Sequence, residues 1–130
     1  MKSVLICDDD TEILNVCTLI LKKKGYHVVT SDNCENIFEL VKKKRPDAIL
    51  MDLWLPQMGG EAATKKLKAN KDTSSIPVIL FSAHNDLKHV AKQVAADDYL
   101  SKPFGIASLM SMLDKYTSKR IKLAPELSII

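Results

Sequence analysis

Apolar residues along this chain follow two alternating patterns: short unbroken runs, and longer stretches in which they recur every three or four positions. Val4-Leu5-Ile6-Cys7, Ala48-Ile49-Leu50-Met51 and Ile76 to Phe81 are the clearest runs, and such runs suit strands buried on both faces. Tyr26 to Thr30 and Tyr99-Leu100 predict two further, weaker strands. Ile13, Val16, Cys17, Ile20 and Leu21 recur at helical spacing as far as Gly25, a residue suited to ending a helix. Cys34 to Lys44, Glu61 to Ala69 and, more weakly, Asn85 to Val94 predict three more helices. Ile106, Leu109, Met110 and Leu113 give a last helix its apolar face. Arg45-Pro46-Asp47 is a break, and Pro56 with Gly59-Gly60 makes a loop.

Strand and helix in strict alternation imply βαβ units with right-handed crossovers, hence a parallel sheet covered on both sides. Five strands fit the flavodoxin-like doubly wound order 2-1-3-4-5 in a single domain. Ligands of such sheets bind beyond the carboxyl ends of the strands, at the switch point between strands 1 and 3. Asp8 and Asp9 follow strand 1, Asp52 follows strand 3, Ser82 follows strand 4 and Lys102 follows strand 5. Converging carboxylates oppose one another's ionisation unless a cation is present, and Mg²⁺ takes a few carboxylates together with waters and phosphate oxygens. The strand ends therefore predict a site for a metal and a phosphate. Asp10 or Thr11 is left to cap the following helix.

Composition narrows the reading without redirecting it. The chain has 130 residues, 46% hydrophobic and 27% charged, enough for one domain with a real core. Lys2 precedes only a short apolar run that ends in acids, which is neither a signal peptide nor a membrane span, so a cytoplasmic protein is expected. Cys7, Cys17 and Cys34 lack C-x-x-C spacing and are expected as buried thiols. The formal charge is +3, with basic residues bunched at Lys22 to Lys24, Lys42 to Arg45 and Lys65 to Lys68. Each bunch falls where a helix should end and none has interleaved aromatics, so solvated helix ends are expected and direct nucleic-acid binding is not.

The stretches "VLICDDD", "PDAILMDLWLPQMGG", "VILFSAH" and "DDYLSKPF" together resemble the receiver domain of two-component response regulators, of the single-domain, chemotaxis-regulator-like kind, over residues 1–117. The resemblance implies phosphoryl transfer from a phosphohistidine of a sensor histidine kinase or phosphotransfer protein to Asp52. It implies that Asp9 ligates Mg²⁺ directly and Asp8 mainly through water, with Asp52 and the backbone carbonyl of Trp54 completing the protein's share. Lys102 would pair with the phosphoryl group, Ser82 would hydrogen-bond it, and Tyr99 would be the aromatic switch on the face that a downstream target protein reads. The Lys102–Pro103 bond is expected cis on the same ground. The protein would be a participant in its own phosphorylation, with slow autodephosphorylation, rather than a dedicated enzyme. Relay of the phosphoryl group to another protein's histidine is the alternative output.

Some positions depart from the commonest family pattern. Ser82 stands for a frequent threonine, Ala96 for a frequent glycine and Gly59 for a frequent acid. Trp54 is bulky for its position, and with His84 is expected to hinder water at the acyl phosphate. A flavin-binding reading of the same fold fails because three aspartates would repel the cofactor's phosphate. A phosphohydrolase with an aspartyl nucleophile would resemble D-x-D, whereas the third residue here is Trp54. Residues 118–130 form a tail beyond the family's usual end, in which Pro125 argues against one continuous helix.

Overall fold

The computed structural model describes residues 1–55, 59–83 and 85–129, with side chains of the last helix described as far as Ser118. Its elements in chain order are β1 (Ser3–Cys7), α1 (Thr11–Lys23), β2 (His27–Ser31), α2 (Ile37–Lys44), β3 (Ala48–Met51), α3 (Gly59–Ala69), β4 (Val78–Ser82), α4 (Leu87–Gln93), β5 (Asp98–Ser101) and α5 (Ile106–Ile129). The strands are parallel and ordered β2-β1-β3-β4-β5, the flavodoxin-like arrangement.

The unbroken apolar runs are explained by two-sided burial, since successive strand side chains point to opposite faces. Leu5, Cys7, Ile49, Met51, Val78 and Leu80 pack on one face against α2, α3 and α4. Val4, Ile6, Ala48, Leu50, Ile79 and Phe81 pack on the other against α1 and α5. The three cysteines are buried and free, as small hydrophobes.

Register fixes where the chemistry emerges. Cys7 lies opposite Ser31 on one side and Met51 on the other, so the residues that follow β1 and β3 leave the sheet at one edge. The Asp8 N–H donates to the Ser31 carbonyl at 3.0 Å and the Asp52 N–H to the Cys7 carbonyl at 3.0 Å, which extends the ladder one step into the site. Ser82 lies opposite Ser101, and the Lys102 N–H donates to the Ser82 carbonyl at 2.9 Å.

Several boundaries differ from the sequence pattern for identifiable reasons. Tyr26 precedes β2 and is buried under α5, its hydroxyl donating to Asp114 Oδ1 at 2.8 Å. Gly25, at φ 91°, makes the turn that turns it there. Strand β4 begins at Val78 rather than Ile76, because Pro77 has no N–H and the Ile76 N–H is taken by the Thr73 carbonyl. The basic bunches do close α1, α2 and α3. Lys68 is nevertheless not a solvated end: its side chain is 10% exposed, lies 2.5 Å from Asp97 and donates to the carbonyls of Ser74 and Ile76. Helix α5 continues through Pro125, against the expected interruption. A proline's fixed φ is itself helical, so its cost is a lost hydrogen bond and local crowding rather than a forced exit. Ile121, Leu123, Leu127, Ile129 and Ile130 have side chains outside the described set, as does the whole of His84.

Candidate functional site

The three consecutive aspartates have three different environments. Asp10 is the N-cap of α1, its Oδ1 accepting the N–H groups of Glu12 at 3.0 Å and Ile13 at 3.4 Å. Asp8 is 1% exposed; its Oδ1 accepts the Asp10 N–H at 2.9 Å and its Oδ2 accepts Lys102 Nζ at 2.6 Å. Asp9 between them is exposed. Alternation at the strand end thus sends one carboxylate inward, one outward and one onto the helix.

Asp52 leaves β3 beside Asp8 and is 4% exposed. Its Oδ1 is buried with no hydrogen-bond partner among the described residues, and Lys102 Nζ stands 3.8 Å away. Burial pushes its pKa above the ordinary carboxylate value; Lys102 opposes this, Asp8 adds to it, the Trp54 backbone N–H opposes it and Asp9 adds to it. The same burial lifts the nearby Cys34 thiol to about 11, with the Asp52 charge contributing. Ser82 Oγ is another buried polar atom without a hydrogen-bond partner among the described residues. Lys102 itself rests over the ring of Phe81, 4.6 Å from its centroid, and the Lys102–Pro103 peptide bond is cis.

Carboxylate oxygens of Asp8, Asp9 and Asp52 lie within 4.8 Å of one another. An all-oxygen set of this kind, with one buried oxygen lacking a hydrogen-bond partner among the described residues, fits a hard divalent cation such as Mg²⁺. Trp54, two residues after Asp52, is 64% exposed. Tyr99 is half-buried on β5 and packs with the α4 side of the core.

Two contributors escaped the sequence pattern. Gly60 packs so closely on the backbone after β3 that a Cβ there would sit 2.0 Å from the Asp52 carbonyl oxygen, and its N–H donates to the Leu53 carbonyl at 3.1 Å. It therefore fixes the segment that carries Asp52 and Trp54; the paired glycines, expected in a loop, instead open helix α3, and this close approach was not legible from them. Phe81, legible only as a core residue, supplies the face beneath Lys102. A groove of about 620 Å³ opens beside the site between α1 and α5, lined by Ile13, Val16, Ile20, Phe104 and Ile106 among others and bordered by Lys102.

Comparison with known proteins is consistent across sequence and structure. The family model of the response regulator receiver domain matches residues 4–114. The chain is 32% identical to protein PilH of Pseudomonas aeruginosa over 116 residues, covering 88% of this chain and 96% of that protein. It is also 32% identical to the phosphate regulon transcriptional regulatory protein PhoB of the same organism, covering 86% of this chain but only 50% of that longer protein. Among solved structures, the receiver domain of a Pseudomonas aeruginosa sensor histidine kinase, with a magnesium ion coordinated in its active site cleft, superposes with a TM-score of 0.83 at 28% identity, covering 90% of this chain and 98% of that one. Among the described residues no helix is long and apolar enough to cross a membrane.

Proposed function

The chain belongs to the response regulator receiver domain family, and from that membership we propose that it is a phosphoacceptor in which Asp52 receives a phosphoryl group from a phosphohistidine of a sensor histidine kinase or phosphotransfer protein. The observation that carries the proposal is Asp52 Oδ1, a buried oxygen without a hydrogen-bond partner among the described residues, set between Asp8, Asp9 and Lys102. A buried acceptor oxygen left unsatisfied is costly in a folded protein and is explained when the partner is a ligand.

In the transfer an Asp52 oxygen bonds to phosphorus, the bond from phosphorus to the imidazole nitrogen breaks, and the imidazole leaves with the electron pair. Such a reaction asks the protein for position and charge more than for covalent help. Asp52 is held by the ladder from Cys7 and by the close approach of Gly60. Lys102 stands near enough to offset charge on the phosphoryl oxygens, and the buried Ser82 hydroxyl, without a hydrogen-bond partner among the described residues, can donate to one of them. Mg²⁺ held by Asp8, Asp9, Asp52 and the Trp54 carbonyl would supply further charge neutralisation at those oxygens.

We infer the output from the sheet. Ser82 ends β4, whose Leu80 lies opposite Tyr99 of β5, so a hydroxyl drawn toward the phosphoryl group acts on the strand pair that carries Tyr99. We place a downstream target protein on the face around Tyr99, and the reaction in the cytoplasm, where free buried thiols stay reduced. Incubation with acetyl phosphate and Mg²⁺, followed by borohydride reduction and peptide mapping, tests the acceptor. The expected result is conversion of Asp52 to homoserine and of no other aspartate; reduction mapped to Asp8 or Asp9 instead would overturn it.

A further inference from the structure

Phe81 and Ser82 are the last two residues of β4, and successive strand side chains leave opposite faces of the sheet. Phe81 belongs to the core that α1 and α5 cover. It is fully buried and lies opposite Leu100 of β5, beside the strand that delivers Lys102.

The side chain of Lys102 comes back across this ring. Its Nζ is 4.6 Å from the ring centroid, well inside the reach of about 6 Å over which an aromatic face attracts a cation. The lysine side chain is only 16% exposed, so the ring face stands in for water that the ammonium has given up. The ring is itself backed by Phe104, with centroids 6.2 Å apart and planes tilted by 49°. A four-carbon stem by itself leaves an ammonium many positions to occupy. A carboxylate that held it would set another anion beside the incoming phosphoryl group; a ring face attracts it with no net charge. An aliphatic side chain would fill the same core space and attract nothing. The core asks for apolar volume at this position, and Lys102 asks for an aromatic ring.

We propose that Phe81 is a positioning residue for phosphoryl transfer: the face of its ring seats the Lys102 ammonium beside Asp52 without adding an anion to the site. This rests on the reading of Asp52 as the acceptor.

Replacing Phe81 in the full chain by increasingly fluorinated phenylalanines tests the proposal, because ring fluorines drain the negative face while nearly preserving ring shape. Phosphorylation by acetyl phosphate with saturating Mg²⁺ is followed by intact-protein mass. The rate should fall stepwise along the series, by about five-fold for the most fluorinated ring, the equivalent of about 1 kcal/mol. Phe81→Leu, apolar but without a ring, should fall at least as far. A constant rate along the fluorinated series would overturn the proposal, since the ring would then be core volume alone. A second readout needs no phosphoryl group. In NMR spectra of the wild-type protein, ring current should move the Lys102 ε-methylene protons upfield, and Phe81→Leu should return them to the ordinary lysine position. Ordinary shifts in the wild type would overturn the seat on the ring. A wild type with the upfield shift that accepts no phosphoryl group would overturn the acceptor reading instead, an outcome distinct from the others.

Discussion

Asp8, Asp9 and Asp10 show how far residue types alone carry the reading. Their position at the end of a buried strand is legible, and so is their meeting with Asp52. The capping role expected of Asp10 or Thr11 falls to Asp10, whereas the placing of Asp8 under Lys102 and of Asp9 in the open is not legible, because direction at a strand end depends on the turn that follows. Asp52 gives the residue-scale prediction. Burial makes the folded protein hold the Asp52 proton more tightly than the unfolded chain does. In the metal-free protein this group therefore opposes folding at neutral pH, and the penalty fades as pH falls through the raised folded value toward about 4, the unfolded carboxyl value. Asp52→Asn should raise the metal-free thermal midpoint at pH 7 by on the order of a few degrees, with the gap to wild type narrowing in acid. A midpoint that is unchanged or lower at pH 7 would count against a destabilising Asp52 charge.

At the scale of elements, strands and helices follow the hydrophobic pattern, and their ends follow hydrogen bonds that the pattern does not contain. The link from α4 to β5 is the clearest case. Family comparison drew attention to Ala96, yet the left-handed residue is its neighbour Ala95, at φ 61°. Ala95 ends the turn after α4, with its N–H on the Lys92 carbonyl at 3.3 Å, while the Ala96 N–H returns to the Ala91 carbonyl at 2.9 Å. A residue with a Cβ pays about 1–2 kcal/mol for that conformation, and glycine does not. Ala95→Gly should therefore stabilise the protein by about 1 kcal/mol, a rise of a few degrees in the midpoint. Ala96→Gly should bring no gain; the opposite order in a pair of melting curves would contradict the assignment. Lys68 teaches the same lesson from charge: its place in a basic bunch at a helix end was visible, but its clip from α3 to Asp97, just before β5, depends on a contact 29 positions along the chain.

For the whole molecule, the sheet order and both core faces were legible because the alternation of runs and helical stretches admits few parallel topologies. The switch point then brings Asp8, Asp9 and Asp52 together without any single motif being decisive. What the pattern could not carry is close packing of backbone on backbone, as at Gly60, and the position of Lys102 between two carboxylates, 2.6 Å from Asp8 and 3.8 Å from Asp52. The central claim is that Asp52 accepts a phosphoryl group at a site that uses a divalent cation. Intact-protein mass measured after exposure to acetyl phosphate tests it most directly, for wild type and Asp52→Ala, each with Mg²⁺ and with chelator. The account predicts a single phosphoryl increment on wild type with Mg²⁺ and none in the other three samples; an equal increment on Asp52→Ala with Mg²⁺ would contradict it.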